Sequence, residues 1–276
     1  MSETRIHPLL LKYARKGATK QPHCSGCGNG IIAQCMLRAI DELQLDMDKM
    51  VFVSGIGCSS WIPSPFFNAD VLHTTHGRPL AFATGVKLGN PDLRVVVFTG
   101  DGDSAAIGGN HLIQAARKNI ELLTVLVNNR IYGMTGGQVA PTTPHGMKTA
   151  TTPYGNLEYP FDLCKLVEAA GASYVARWTT FHTKQLVSSM KKGLLKEGFS
   201  FIEVISQCPV QYGRYAGVRD PAELLLMFRD RSISVSKARS MSEAEFEGQI
   251  VIGEFIDRDR RGLAKAYKQL LEGVKI

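Results

Sequence analysis

Residues 94–103, RVVVFTGDGD, and residues 122–129, LLTVLVNN, decide the fold. Each opens on a continuous run of β-branched and apolar residues, the pattern of strands buried on both faces of a parallel sheet. Between them, residues 107–119 alternate small, apolar and polar side chains at helical spacing, so the stretch reads as strand–helix–strand. Gly100-Asp101-Gly102 and Asn128-Asn129 then fall at the carboxyl ends of two strands, where open α/β sheets bind their ligands. An Asp and an Asn side by side at that edge supply hard oxygen ligands suited to Mg2+ carrying a diphosphate.

The arrangement resembles the thiamine-diphosphate-binding signature, Gly-Asp-Gly followed after a helix by Asn-Asn. That resemblance implies Asp101, Asn129 and the backbone carbonyl of Ile131 as Mg2+ ligands, with Gly102 and Asp103 against the diphosphate. There a Gly lets the backbone approach closely, and helix-start N–H groups favour an anion. A turn and a loop with no cofactor is the plain alternative. Two motifs, each closing a buried strand, favour the cofactor.

At 276 residues the chain is one large α/β domain or two small ones, and its 44% hydrophobic and 21% charged residues are ordinary for a globular protein. No apolar run approaches the roughly 20 residues of a membrane span. The first 20 residues lack a signal-peptide core, so a cytoplasmic location is expected. A net charge of +7 allows an anionic partner, but the basic residues are scattered and the densest run, residues 257–261, interleaves arginines with acids. A solvated face is the expected reading there and at Lys191-Lys192. Nucleic acid is therefore not expected as a partner, whereas an acidic electron carrier or a phosphorylated substrate would equally suit such a surface.

Six cysteines in such a chain argue for metal or redox chemistry rather than disulfides. Cys24 and Cys27 form a Cys-x-x-Cys turn before a helix expected over residues 31–43. Cys58 follows the strand Val51-Phe52-Val53, and Cys208 follows a strand expected over residues 201–206. Cys35 and Cys164 sit inside helical patterns and read as small buried hydrophobes. Four loop cysteines suit either tetrahedral Zn2+ or an iron–sulfur cluster. Spacing alone does not choose between them.

Taken together, Cys24-Ser25-Gly26-Cys27-Gly28, Gly55-Ile56-Gly57-Cys58-Ser59, His76-Gly77-Arg78, the Gly-Asp-Gly-Asp and Asn-Asn motifs, and Cys208-Pro209 resemble the β subunit of 2-oxoacid:ferredoxin oxidoreductases. The likeness runs to about Arg229. It implies one 4Fe–4S cluster on Cys24, Cys27, Cys58 and Cys208. It also implies a thiamine site lined by Ile56, Gly57, Cys58, Ser59, His76, Gly102, Asp103, Gly133 and Met134, with His76 hydrogen-bonding phosphate or substrate or shuttling a proton. His73 and Arg78 are further candidates. The implied activity is oxidative decarboxylation of a 2-oxoacid with coenzyme A, giving acyl-CoA and CO2. Electrons would pass from thiamine diphosphate through the cluster to ferredoxin.

The long match around residues 61–65 and 73–78 looks most like the 2-oxoglutarate branch; pyruvate and branched-chain 2-oxoacids are the alternatives, with a non-catalytic electron-transfer subunit or a zinc-stapled module behind them. No second α/β repeat for the aminopyrimidine half is visible. An α subunit, hence a hetero-oligomer, is expected to complete the site. The expected architecture is an open, mostly parallel sheet with helices on both faces over residues 20–230, an N-terminal arm over 1–19, and a C-terminal arm over 231–276 packing on a neighbouring subunit. Residues 133–160, rich in Gly, Thr and Pro, are expected to cover the cofactor, although their Thr content alone fits plain loop chemistry. Trp61 and Phe66-Phe67 are expected to pack a partner or wall the substrate.

Overall fold

A computed structural model describes residues 7–16 and 22–274. In chain order its elements are α1 (Pro8–Tyr13), α2 (Asn29–Glu42), β1 (Met50–Ser54), β2 (Asp70–His73), α3 (Pro79–Gly89), β3 (Arg94–Gly100), α4 (Gly109–Lys118), β4 (Leu122–Asn128) and α5 (Leu163–Ala170). There follow β5 (Tyr174–Thr179), α6 (Thr183–Leu195), β6 (Ser200–Ile205), α7 (Tyr212–Ala216), α8 (Pro221–Asp230), β7 (Ser232–Ser234), α9 (Val235–Ala238), β8 (Ile250–Asp257) and α10 (Leu263–Gly273). One eight-stranded sheet runs β2-β1-β3-β4-β6-β5-β8-β7, parallel except where β8 meets β5.

The two-residue period of the strands explains the layers. Val96 and Phe98 point to the face covered by α2 and α6, where Met36, Ile40, Leu186 and Met190 bury them. Val95 and Val97 point to the other face, against Leu80 of α3, Leu112 of α4 and Val167 of α5. With both faces covered, the central strands have no reason to alternate polar residues, and they do not. Burying each Val or Phe side chain contributes about 1.5–3 kcal/mol, so two such layers hold the central strands in register.

Successive strands are added outward on both sides of β1: β2 on one side, β3 and β4 on the other. The chain thus switches direction between β1 and β3, which opens a crevice at their carboxyl ends. The loops after β1, β2, β3 and β4 all rise there.

Three expectations need revision. The expected C-terminal arm is part of this chain's own sheet, because β8 pairs with β5 through a bulge at Val175/Ala176 and β7 pairs with β8. The described part of the N-terminal arm forms α1, whose buried Tyr13 joins the core and donates to Asp41 Oδ1 at 2.8 Å. Residues 1–6 and 17–19 of that arm, like 20, 21, 275 and 276, lie outside the described residues. Phe66 and Phe67 are buried in this chain's own core, Phe67 packing edge-on to Phe52 at 5.0 Å between ring centroids, so they face neither partner nor substrate.

The basic runs are engaged within the chain: Lys191 pairs with Glu42, Lys192 with Glu254, and Arg258 donates to the carbonyl of Ala172. Among the described residues no helix is long and apolar enough to cross a membrane.

Candidate active site

The crevice between β1 and β3 is lined by Ile56, Gly57, Cys58, Ser59, His76, Asp101, Gly102, Asp103, Asn129, Ile131, Gly133 and Met134, together with Gly100, Val127, Tyr132 and Thr135. Every residue expected at the thiamine and magnesium positions therefore borders one cavity. Cys24, Cys27 and Cys208 lie behind it.

Asp101 follows the last residue of β3 and is 3% exposed. Burial pushes its carboxyl up to about 6, opposed by hydrogen bonds from the Thr142 hydroxyl and the Gly102 N–H. Among the described residues it forms no ion pair, so a divalent cation would supply the missing positive charge. Asn129 Oδ1 accepts from Ile131 N–H at 3.2 Å, fixing the turn that carries the Ile131 carbonyl. The Asn129 and Ile131 positions flank Arg130, whose φ of 63° is unusual for a residue other than Gly.

After Asp101 the chain enters a π-helical turn, Gly102–Ile107. Such turns are frequent at functional sites. Any β-carbon at Gly102 would lie 2.2 Å from the Tyr132 ring, whose hydroxyl donates to the Gly102 carbonyl at 3.2 Å. Gly102 is thus fixed by close packing.

Asp103 borders the cavity, but its carboxylate is already engaged. Oδ1 accepts from Gly77 N–H at 2.6 Å and Ile56 N–H at 3.4 Å, and Oδ2 accepts from Thr99 Oγ1 at 2.6 Å. One carboxylate therefore ties together the loops after β1 and β2. A side chain on Gly55 would strike it at 2.1 Å. His76 Nδ1 lies 3.9 Å from Asp103 Oδ1, and its ring stacks on Tyr132 with the imidazole more than a third exposed. His73 instead contacts Ser54 Oγ at 3.1 Å and the Trp61 ring. Arg78 reaches only the carbonyls of Gly77 and Ile107, both at 3.4 Å.

The four loop cysteines gather behind this wall. Gly28 N–H donates to the Gln207 carbonyl at 3.1 Å, docking the Cys24–Cys27 turn beside Cys208. The fit is tight: a β-carbon on Gly28 would lie 2.2 Å from Ser206 Oγ, and one on Gly26 would lie 2.2 Å from Pro221 Cγ. A methyl on Gly133 would lie 3.4 Å from Asn129 Nδ2 and 3.7 Å from Sγ of both Cys58 and Cys208. The thiol group and the Asn129–Ile131 turn are therefore neighbours through one glycine.

Burial pushes Cys27 up to about 12, with the neighbouring Cys208, Cys58 and Cys24 adding to it, and Cys58 up to about 11 for the same reasons. Metal binding would relieve both terms, since it stabilises thiolates and removes their mutual repulsion. Among the described residues no three or more His, Cys, Asp or Glu are gathered closely enough to hold a metal ion, so the four thiols are neighbours that are not drawn in to ligand distance. Cys35 and Cys164 are buried in the two helix-covered cores, as expected.

Thr142 was not legible as a site residue. Buried, it lies close to both Asp101 Oδ2 (2.5 Å) and Asn128 Oδ1 (2.9 Å). Thr143 Oγ1 donates to the Arg130 carbonyl at 2.7 Å. These hydroxyls anchor the loop of residues 133–160 to the site, so its threonines are more than loop filler. No sequence spacing signals such a contact across 41 positions. Beyond the anchors the loop exposes Tyr154, Leu157 and Tyr159 at 98%, 85% and 84%.

The thiamine pyrophosphate enzyme family, C-terminal TPP-binding domain, matches residues 55–204. The 2-oxoglutarate synthase subunit KorB of Methanocaldococcus jannaschii is 54% identical over 270 residues, covering 98% of this chain and 99% of its own length. The 2-oxoacid:ferredoxin oxidoreductase subunit beta of Saccharolobus solfataricus is 42% identical, covering 67% of this chain and 61% of its own. A solved structure of 2-oxoglutarate:ferredoxin oxidoreductase from Magnetococcus marinus, with 2-oxoglutarate, coenzyme A and succinyl-CoA bound, superposes with a TM-score of 0.84 at 33% identity. It covers 98% of this chain and 91% of that one.

Proposed function

The chain belongs to the β-subunit family of 2-oxoglutarate:ferredoxin oxidoreductases, and from that premise we propose that it holds Mg2+, thiamine diphosphate and a 4Fe–4S cluster side by side for the CoA-dependent oxidation of 2-oxoglutarate. The observation that carries the proposal is the position of Gly133, whose added methyl would touch Asn129 and two loop thiols at once.

Asp101, Asn129 and the Ile131 carbonyl are the proposed Mg2+ ligands; a buried carboxylate without a cation beside an amide oxygen and a carbonyl is a donor set for a hard ion. Bound thiamine diphosphate would supply the carbanion chemistry that decarboxylation of a 2-oxoacid requires. Gly102 borders the cavity where only a glycine fits against Tyr132, and the N–H groups of its π-helical turn would favour the anion. Asp103 holds the loops that present Ile56, Gly57 and His76 to the cavity. His76, exposed and stacked on Tyr132, is the group placed to hydrogen-bond the substrate or move a proton.

A 4Fe–4S cluster on Cys24, Cys27, Cys58 and Cys208 would supply one-electron transfer toward a ferredoxin. Cys24 is the exposed thiol of the four, and the segment after Cys208 carries the exposed cations Arg214 and Arg219, a surface suited to an acidic carrier. A partner α subunit would complete the site. Ile56, Trp61, Leu72, Ile107 and Met134 are exposed apolar side chains on or beside the loops of the crevice, and a docking subunit would cover them. A cytoplasmic location fits this chemistry.

The test is anaerobic co-expression with the α subunit, followed by an assay with 2-oxoglutarate, pyruvate and branched-chain 2-oxoacids, coenzyme A and a low-potential acceptor. The expected result is acceptor reduction with 2-oxoglutarate only in the complex. Turnover by this chain alone, in a preparation free of other chains, contradicts the shared site; preference for pyruvate contradicts the substrate.

A further inference from the structure

Two opposite charges are buried in the middle of the sheet beneath the site. Glu203 on β6 is 1% exposed, and its cross-strand partner on β5 is Arg177, 9% exposed. Arg177 Nε donates to Glu203 Oε2 at 2.6 Å, and Arg177 Nη2 donates to Asp162 Oδ1 at 2.6 Å. Cys164 Sγ, 3.4 Å away, is a further donor to Oε2. Buried pairs of this kind seldom stabilise a fold relative to an apolar pair. What else the pair does is the question.

The other carboxylate oxygen gives the answer. Glu203 Oε1 accepts from Asn128 Nδ2 at 2.7 Å. A carboxylate accepts only, so the Asn128 amide must turn its nitrogen toward β6 and its oxygen toward the site. That oxygen accepts from Arg130 N–H at 3.0 Å and lies 2.9 Å from Thr142 Oγ1. Arg130 sits at positive φ, a conformation unfavourable for a non-Gly residue that persists only where the surroundings fix it. Thr142 carries one proton, and Asp101 Oδ2 is its other neighbour. A rotated Asn128 amide would present an N–H group to Arg130 N–H, losing the hydrogen bond that closes the turn.

We propose that Glu203, paired with Arg177, is a positioning residue that orients Asn128 and thereby sets the turn carrying Asn129 and Ile131. The inference rests on reading Asp101, Asn129 and Ile131 as the Mg2+–diphosphate site. Asp162, Arg177, Glu203, Asn128 and the Arg130 N–H then form one hydrogen-bonded line from the back of the sheet to the turn between Asn129 and Ile131.

The test uses the complex and measures Mg2+-dependent thiamine diphosphate binding by calorimetry, with iron content and thermal unfolding as controls for the rest of the fold. Glu203→Gln presents an N–H group to Arg177 or to Asn128 and is expected to weaken binding about 10- to 100-fold, the equivalent of one charge-assisted hydrogen bond. Because Glu203→Gln also takes one of its two carboxylates from Arg177, which keeps Asp162, Arg177→Met/Glu203→Leu is the second variant: it removes the buried pair and the acceptor facing Asn128, and is expected to fold and to show a similar loss.

A double-mutant cycle with Asn128→Ala separates positioning from general loosening. Glu203 acts through the Asn128 amide, so the combined loss should be clearly smaller than the product of the single losses. Wild-type affinity in the charge-free double variant, or multiplicative losses in the cycle, overturns the inference while leaving the site reading intact. A wild-type complex that shows no Mg2+-dependent binding overturns the site reading, and the inference with it.

Discussion

Replacing Gly28 with Ala should strip iron from the protein without touching a thiol. The new methyl carbon would lie 2.2 Å from Ser206 Oγ, 2.6 Å from Gln207 Oε1 and 2.9 Å from Thr180 Cγ2. Unstrained contacts sit near 3.5–4.0 Å, so the Cys24–Cys27 turn must retreat by roughly 1 Å or more. Ser206, Gln207 and Thr180 are all at least 96% buried and have little room to yield. Metal–ligand bonds tolerate displacements of about 0.2 Å, several-fold less than the retreat. Overpacking of this kind costs about 1–3 kcal/mol, too little to unfold a large domain but enough to move one loop. The assay is iron and acid-labile sulfide per chain after anaerobic purification, with the visible absorption band as a second readout. Gly28→Ala/Ser206→Gly removes the closest clash and should recover part of the iron. Full iron content in Gly28→Ala, with unchanged thermal unfolding, would refute the claim that Gly28 docks Cys27 against Cys208.

Other substitutions separate the two cofactor positions. Cys24→Ser, Cys27→Ser, Cys58→Ser and Cys208→Ser should each lower iron and sulfide, whereas Cys35→Ser and Cys164→Ser should not; full iron in Cys208→Ser would remove the fourth ligand. Asp101→Asn should abolish Mg2+-dependent thiamine diphosphate binding and keep the brown chromophore, and unchanged calorimetric affinity would remove Asp101 from the site. In the wild type the Asp101 carboxyl, raised to about 6 by burial, must lose its proton before it can ligate. Mg2+ affinity should therefore fall about tenfold per pH unit below that value and level off above it. The metal-free fold has the opposite sign: a raised carboxyl favours the folded state at low pH, and that contribution is lost as pH rises through about 6. A flat Mg2+ affinity between about pH 5 and 7 would contradict the buried-carboxylate reading.

The central sheet was legible because burial on both faces forces unbroken apolar runs, as in residues 94–99 and 122–127. The thiol division was legible from placement: Cys24, Cys27, Cys58 and Cys208 follow turns or strand ends, whereas Cys35 and Cys164 lie in helical patterns. β8, inside the expected C-terminal arm, has a short local signal because Glu254 and Asp257 break its apolar pattern. Those acids face Lys192 and Lys196 on the half-exposed flank of the sheet. α8 carried a readable start in Asp220-Pro221, where Asp220 caps Ala222 N–H. Thr142 had no local signal, since its partners are tertiary. Glu203 and Arg177 did carry one: a single acid and a single base inside two otherwise apolar strands implies that they meet.

The central claim is that one chain places the thiamine site and the iron–sulfur cluster within electron-transfer reach. Stopped-flow absorption of the anaerobic complex, mixed with 2-oxoglutarate and coenzyme A in the absence of acceptor, tests it most directly. The account predicts rapid bleaching of the cluster band, dependent on thiamine diphosphate and Mg2+, lost in Asp101→Asn, and reversed by added ferredoxin. Succinyl-CoA formation with a cluster spectrum that stays unchanged would contradict it.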